Sequence, residues 1–159
     1  MNQFGVRVRR SHWLLAILVL AGCFAALIPW LARPLVEREQ ELRVVLTARD
    51  MASGGSWLIP HYLGEPRLNK PPLMYWVTAG VFTLAGTTQS PALARLPAAG
   101  FAAILVGGIF WFGSFLVGRR RALLGSMVAG TCYLFLYFGR LAETDIPLGC
   151  LESLRVWML

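Results

Sequence analysis

The chain has 159 residues, of which 57% are hydrophobic and only 14% are charged, and its mean hydropathy is +0.59. Soluble domains carry roughly 25% charged residues, so this composition excludes an ordinary water-soluble fold and indicates a protein of the lipid bilayer. The formal net charge of +7 does not indicate nucleic-acid binding, because most arginines outside 33–70 flank apolar runs and form no continuous basic stripe.

The first predicted element is a membrane span over 13–32, which contains no charged residue. About 20 apolar residues are the length that a bilayer-spanning helix needs. Arg9 and Arg10 precede the run, so a signal peptide is the competing interpretation. No cleavage site of the small-x-small type follows, and we therefore expect an uncleaved helix whose N-terminal side lies in the cytoplasm.

The second segment, 33–70, is the one long polar stretch of the sequence, and we expect it to be an extracytoplasmic loop. Its part over 36–52 has the pattern of an amphipathic juxtamembrane helix, on which Glu39 and Arg43 are four residues apart and should pair. We expect lipid to cover the apolar face of this helix, formed by Leu42, Val45, Leu46 and Met51.

Three more apolar segments and the start of a fourth complete the chain. Residues 71–86 are too few for a regular span and predict a short or re-entrant helix. The segments 96–118 and 122–139 predict two transmembrane helices, and 146–159 begins a further one. The sequence therefore predicts an all-α, polytopic membrane protein.

The charged residues suggest how these helices are oriented. Five of the eight acidic residues lie in the polar loop and the other three follow residue 142: Glu37, Glu39, Glu41, Asp50 and Glu65, then Glu143, Asp145 and Glu152. The basic run 119–121 marks a cytoplasmic helix end by the positive-inside rule. If 71–86 does not cross the bilayer, both acidic regions face the same outer compartment, and chemistry is expected there.

Lys70 is the only lysine of the chain, and it stands where the polar loop meets an apolar helix. Pro71 suits the first turn of that helix, where a missing N–H costs nothing. The positive end of the helix dipole adds to the potential of the ammonium group, which could bind an anionic lipid headgroup or a phosphate. A lysine that merely snorkels to water is the alternative.

Three motifs in order resemble the superfamily of bacterial lipid A aminoarabinose transferases and dolichyl-phosphate-mannose protein mannosyltransferases. The stretch 49–66 looks like the first outer loop of that superfamily. Residues 69–76, Asn-Lys-Pro-Pro-Leu-Met-Tyr-Trp, are similar to its signature Glu-Lys-Pro-Pro-Leu-x-Tyr-Trp. Residues 140–147, Arg-Leu-Ala-Glu-Thr-Asp-Ile-Pro, resemble its second acidic motif.

The resemblance implies a membrane glycosyltransferase of fold class C. Such enzymes move a sugar from a polyprenyl-phosphate or dolichyl-phosphate carrier to an acceptor hydroxyl or phosphate, with inversion. The implied partners are that donor, a lipid, glycan or protein acceptor and membrane lipids, but no nucleic acid. Lys70 and Arg43 would bind the donor phosphate, and Asp145 would be a second catalytic acid at an outer helix end. No cofactor is certain, and the resemblance leaves open whether a divalent metal is bound.

The sequence departs from the family pattern at the start of the loop helix. The family usually has Asp-Glu-x-Arg there, with the aspartate as base, whereas this chain has Gln-Glu-Leu-Arg over 40–43. A glutamine cannot act as a base. We therefore predict Glu41 as the base and Glu37 as a weaker substitute, the alternative being that Glu41 is a solvated carboxylate paired with an arginine.

Three further residues are candidate supporting groups. Asn69 stands before Lys70 where the family often has a glutamate, Glu143 lies in the second acidic motif, and His61 lies in the outer loop. No set of residues has a recognisable metal-ligand spacing, so the identity of any bound metal is unknown from the sequence.

The length leaves the function of the chain itself open. It ends within an apolar run, and we expect it to be the N-terminal portion of a longer enzyme or a truncated product. A non-catalytic membrane homologue or assembly subunit is one alternative. A small transporter is another, because Glu152 and Arg155 lie inside the last apolar run. We expect a multi-pass protein of the cell membrane whose site faces the periplasm or the cell exterior.

Overall fold

A computed structural model of the protein describes residues 10–33 and 38–158, which form seven helices and one two-stranded hairpin. The all-α membrane class predicted from the sequence is confirmed. The elements in chain order are α1 Arg10–Leu31, α2 Glu39–Ala52, β1 His61–Tyr62, β2 Glu65–Pro66, α3 Leu73–Ala85, α4 Pro91–Leu116, α5 Arg119–Thr131, α6 Tyr133–Gly139 and α7 Asp145–Met158.

Two of the described helices are long and apolar enough to cross a bilayer, namely α1 over Trp13–Leu31 and α4 over Pro91–Leu116. α4 begins earlier than the span predicted over 96–118. Ser90 caps it by accepting a hydrogen bond from the Leu93 N–H, and Pro91 occupies the first turn. As a result Arg95, which the sequence places at the edge of a span, lies inside the helix.

The segment predicted as one span over 122–139 is divided into α5 and α6, which meet at an angle of 62°. Cys132, between them, has φ −59° and ψ 132°, an extended conformation that interrupts the helical hydrogen bonds. Gly130 precedes the break and has a low helix propensity. Together the two helices are apolar and long enough to form a third, broken span.

α2 is amphipathic, but protein rather than lipid covers much of its apolar face. Val45 and Met51 are buried in a core shared with Tyr75 of α3 and Ala98 of α4. The prediction that these two side chains rest on lipid was wrong, because the sequence alone does not show that α3 folds back over the same face. α2 and α3 therefore form one packed unit on α4.

Small residues let the long helices approach closely. A Cβ on Gly107 of α4 would lie 3.2 Å from the Cβ of Leu20 in α1, and one on Gly139 would lie 3.1 Å from the Cβ of Ala102. Close approach at small residues is a common way for membrane helices to pack. These contacts place the middle of α1 and the end of α6 against neighbouring turns of α4.

A buried ion pair joins α2 to α4. Nε and Nη2 of Arg95 donate to Oε1 and Oε2 of Glu41 at 2.6 and 3.0 Å. The two residues are 1% and 0% exposed. The backbone N–H of Ala142 also donates to Oε1 of Glu41, at 3.2 Å. Nη1 of Arg95 donates to three carbonyls at the end of α1, those of Trp30, Leu31 and Arg33.

We predict that breaking this pair destabilises the protein strongly. Glu41→Leu or Arg95→Met should each cost about 3–5 kcal/mol, because the remaining charge stays buried without a counter-ion. The double variant should recover most of that loss, since two apolar side chains can replace a buried pair. Thermal unfolding of the detergent-solubilised protein measures the effect.

Glu39→Leu is the matched control, because Glu39 lies two residues away and its ion pair with Arg43 is exposed. It should change stability by less than about 1 kcal/mol. A double variant as unstable as the single ones, or a Glu41→Leu variant no worse than Glu39→Leu, would contradict the structural role of the pair.

Candidate functional site

Lys70 lies in the turn that leads into α3, and its side chain contacts the start of α7. Its Nζ donates to Oγ1 of Thr144 at 3.1 Å and lies 3.6 Å from Oδ1 of Asp145. Pro72, the residue before α3, has φ −75° and is already helical, which fixes the direction of the chain after Lys70. The fold thus joins the loop motif to the second acidic motif, which lies more than 70 positions further along the chain.

The ion pair between Lys70 and Asp145 is partly solvated, because their side chains are 39% and 53% exposed. Pairs of this kind contribute only about 0–1 kcal/mol. Asp145 is the first residue of α7, where the helix dipole also favours its negative charge. An anionic ligand can therefore take the place of Asp145 beside Lys70 at little cost.

An apolar cavity of about 260 Å³ lies between α3 and α7. The polar residues that line this cavity lie at the starts of the two helices, and the other lining residues are apolar. The lining residues are Lys70, Pro71, Leu73, Met74, Thr144, Asp145, Pro147, Leu148 and Leu151. Such a cavity suits an amphiphile that has an anionic head and an apolar chain.

A second, much smaller pocket shares Lys70 and Thr144 with the apolar cavity. Its volume is about 10 Å³, which is room for about one water molecule. Its other lining residues are Gln40, Val44, Arg67, Tyr75 and Glu143. Nε of Arg67 donates to the Tyr75 hydroxyl at 2.9 Å, and this hydrogen bond fixes the positions of both side chains in the pocket wall.

Glu143 lies in the turn between α6 and α7 and is only 5% exposed. Its Oε1 is 3.5 Å from Nη1 of Arg38 and accepts no hydrogen bond from any described residue. Desolvation by burial raises the pKa of Glu143 above its ordinary value. The charge of Arg38 opposes that rise, Asp145 and Glu41 add to it, and Lys70 opposes it.

Glu41, which the sequence predicts as the base, lies in a different environment. Both of its carboxylate oxygens accept hydrogen bonds from Arg95, and the residue is fully buried. This environment is unfavourable for a base, because both carboxylate oxygens are buried and already accept hydrogen bonds. Glu41 is paired with an arginine, as in the alternative interpretation, but the pair is buried rather than solvated.

Arg43 is the predicted partner of Lys70 in phosphate binding, yet its observed partners are others. Its guanidinium forms the expected ion pair with Glu39, which confirms that pairing, and lies 6.0 Å from the centre of the Tyr62 ring. Arg43 is not among the residues that line either cavity beside Lys70.

The remaining predicted residues surround the site less closely. Asn69 is exposed next to Lys70. His61 is half-buried in the hairpin, where it is the register partner of Pro66. Glu37 lies outside the residues that the structure describes. Across 10–33 and 38–158, no three histidine, cysteine, aspartate or glutamate side chains are grouped closely enough to hold a metal ion.

Sequence reasoning missed two arginines that shape this region. Arg95 had a usable signal, because an ionisable side chain within an alanine-rich apolar run needs a buried partner. Arg67 had none, since an arginine in a polar loop looks like any solvated residue. Only the packing of the loop against α3 shows that Arg67 is buried and hydrogen-bonded to Tyr75.

Two curated relatives are arabinosyl transferases. The chain is 35% identical over 120 residues to an undecaprenyl phosphate-alpha-4-amino-4-deoxy-L-arabinose arabinosyl transferase of Aeromonas hydrophila, covering 74% of this chain and 21% of that protein. It is 30% identical over 117 residues to the corresponding transferase 1 of Sodalis glossinidius, covering 72% of this chain and 20% of the relative. The chain therefore spans about a fifth of the length of these relatives.

No solved structure matches the chain significantly. A family model described as dolichyl-phosphate-mannose-protein mannosyltransferase matches residues 69–159, more than half of the chain. The matched region includes Lys70, Glu143 and Asp145, and so contains the contact between the loop motif and the second acidic motif. The resemblance seen in the sequence is confirmed, and the chain belongs to the dolichyl-phosphate-mannose-protein mannosyltransferase family.

Proposed function

We propose that this protein is a membrane glycosyltransferase that moves a sugar from a polyprenyl-phosphate carrier to a lipid, glycan or protein acceptor, with inversion. The observation that carries the proposal is the position of Lys70, whose ammonium group lines an apolar cavity of about 260 Å³ at the boundary of the polar loop. A polyprenyl phosphate has the matching chemistry, an anionic head on a hydrocarbon chain. The names of the arabinosyl transferase relatives specify such a carrier, undecaprenyl phosphate.

Lys70 has a direct role in the chemistry of such a transfer. As the bond between the anomeric carbon and the phosphate oxygen breaks, negative charge grows on the leaving phosphate. The ammonium group of Lys70 is placed to neutralise that charge, and the dipole at the start of α3 adds to its effect. Asp145, the partner of Lys70 at 3.6 Å, would give way to the phosphate when the donor binds.

The charge distribution supports a site on the outer face of the membrane. Arg95 lies near the start of α4, beside the site, and the basic run 119–121 follows the end of α4. α4 has 26 residues, which corresponds to about 39 Å of helix, enough to separate the two by the thickness of a bilayer. The positive-inside rule supports a cytoplasmic position for the basic run, and with it a periplasmic or exterior position for the site.

The transporter alternative receives no support from the described residues. Glu152 and Arg155, which suggested it, are both exposed and lie 3.5 Å from each other on α7. Their charges are met within that pair. A transfer assay tests whether the protein is instead a non-catalytic homologue.

We predict that Lys70→Ala lowers sugar transfer at least about 10²-fold, because it removes the charge that stabilises the leaving phosphate. The assay uses membranes that contain the full protein encoded by the gene. The radiolabelled donors are undecaprenyl-phosphate-linked 4-amino-4-deoxy-L-arabinose and undecaprenyl-phosphate-linked mannose, and the readout is labelled acceptor together with released undecaprenyl phosphate.

Arg120→Ala is the matched control for loss of a positive charge, because Arg120 is exposed at the other end of α4. It should leave transfer unchanged. Unaltered transfer in the Lys70→Ala variant would contradict the proposed phosphate-binding role of Lys70. A wild-type protein that is inactive with both donors would indicate a non-catalytic homologue.

We predict that the loop and the basic run react with a membrane-impermeant thiol reagent from opposite sides. In a background that lacks Cys23, Cys132 and Cys150, a Ser56→Cys variant should be labelled in intact cells or spheroplasts. An Arg120→Cys variant should be labelled only after the membrane is opened. Both positions are exposed, so accessibility to the reagent depends on sidedness rather than on burial. Labelling of both variants from the same side would overturn the proposed orientation.

A further inference from the structure

An acceptor hydroxyl must lose a proton when it attacks the sugar, and the described carboxylates differ in whether they can take it. Glu41 is held through both oxygens by Arg95. Asp145 is partly solvated and paired with Lys70, the group proposed to meet the phosphate. Among the described residues, Glu143 is the carboxylate that has a buried oxygen accepting no hydrogen bond.

The position of Glu143 relative to Lys70 suits the attack of a hydroxyl group. Glu143 lines the small pocket of about 10 Å³, whose size corresponds to one water molecule or one hydroxyl group. The same pocket is lined by Lys70 and Thr144, which also line the larger apolar cavity. A hydroxyl in the small pocket would therefore lie next to the phosphate of a carrier in the large one.

We propose that Glu143 is the base that takes the proton from the acceptor hydroxyl, an inference that rests on the proposed glycosyl transfer. The carboxylate accepts the hydroxyl proton while the acceptor oxygen forms its bond to the anomeric carbon. The bond from that carbon to the phosphate oxygen breaks, and its electron pair leaves with the polyprenyl phosphate, beside Lys70. Glu143 then releases the proton to water. The assignment implies a hydroxyl-bearing acceptor, since an ionised phosphate acceptor has no proton to lose.

The surroundings of Glu143 make it a stronger base than an ordinary carboxylate. Proton transfer is most efficient when the pKa of the base lies near the working pH, and burial raises the pKa of Glu143 in that direction. The charged groups that act on Glu143 are Arg38, Asp145, Glu41 and Lys70. A donor phosphate bound at Lys70 would offset the positive charge of Lys70, and so would keep the carboxylate basic at the moment of attack.

This assignment also gives Gln40 a function. Gln40 occupies the position where the resemblance leads one to expect an acid, and it lines the same small pocket as Glu143. Its amide can hold an acceptor hydroxyl by hydrogen bonds but cannot take the proton. Glu143, on another wall of the pocket, supplies the base that Gln40 cannot be.

The main test is Glu143→Gln, a substitution of the same size that removes the base. We expect kcat for transfer to fall about 10²–10⁴-fold, the usual contribution of a general base, with little change in the KM for the donor. Glu143→Asp should keep part of the activity. The assay is the transfer of sugar from undecaprenyl-phosphate-linked 4-amino-4-deoxy-L-arabinose or mannose in membranes that contain the full protein.

A pH profile separates a base from a merely structural carboxylate. In the wild type, kcat/KM should fall as the pH drops through the pKa of Glu143, because only the ionised form accepts a proton. Arg38 lowers that pKa, so Arg38→Gln should raise it and move the acidic limb of the profile to higher pH. The residual activity of Glu143→Gln should lack this limb.

The outcomes distinguish this inference from the function on which it depends. If the wild type transfers neither sugar, the proposed function is overturned, and the base assignment with it. Transfer by the wild type together with more than about a tenth of that activity in Glu143→Gln overturns the base assignment alone. If Glu143→Gln does not fold, an acidic limb that does not move in Arg38→Gln overturns the assignment, and a limb that moves to higher pH supports it.

Discussion

The ion pair between Glu41 and Arg95 is the interaction on which the rest of the structure depends. A guanidinium inside an apolar helix is costly unless its donors are all met, and Arg95 is met by a carboxylate on α2 and by the carbonyls that end α1. The same carboxylate accepts the backbone N–H of Ala142, which fixes the turn before α7. One buried pair thus sets the relative positions of α1, α2, α4 and the second acidic motif.

The geometry around Lys70 follows from that arrangement. The apolar face of α2 needs a cover, and α3 supplies it with Met74 and Tyr75. Lys70 precedes α3, so the packing of α3 on α2 also decides where the ammonium group lies. The turn anchored through Ala142 presents Thr144 and Asp145 to it from the other side. Neither motif makes a site by itself, and the buried pair brings the two together.

Sequence reasoning was most successful where one physical signal was sufficient. The length of uncharged runs predicts the helices α1 and α4, and the motifs containing Lys70 and Asp145 are specific enough to indicate the family. Sequence reasoning failed where the structure depends on which elements pack together. Val45 and Met51 form an apolar stripe that lipid or protein could cover, and the choice is made by α3. The surroundings of Glu41 and Glu143 were likewise hidden, because burial and partners are properties of the fold rather than of residue type.

Glu41 and Glu143 show how the surroundings give two glutamates of one region different chemistry. Glu41 has two strong hydrogen bonds from a guanidinium and one from a backbone N–H, so its negative charge is fully compensated and it serves as a fixed counter-ion. Glu143 is also buried, but its arginine partner lies at 3.5 Å and leaves Oε1 without a hydrogen bond. Burial raises the pKa of Glu143 above its ordinary value, whereas Glu41 is held as the counter-ion of Arg95. The fold therefore separates Glu41, which joins the helices through Arg95, from Glu143, the proposed base, although both lie at the turn before α7.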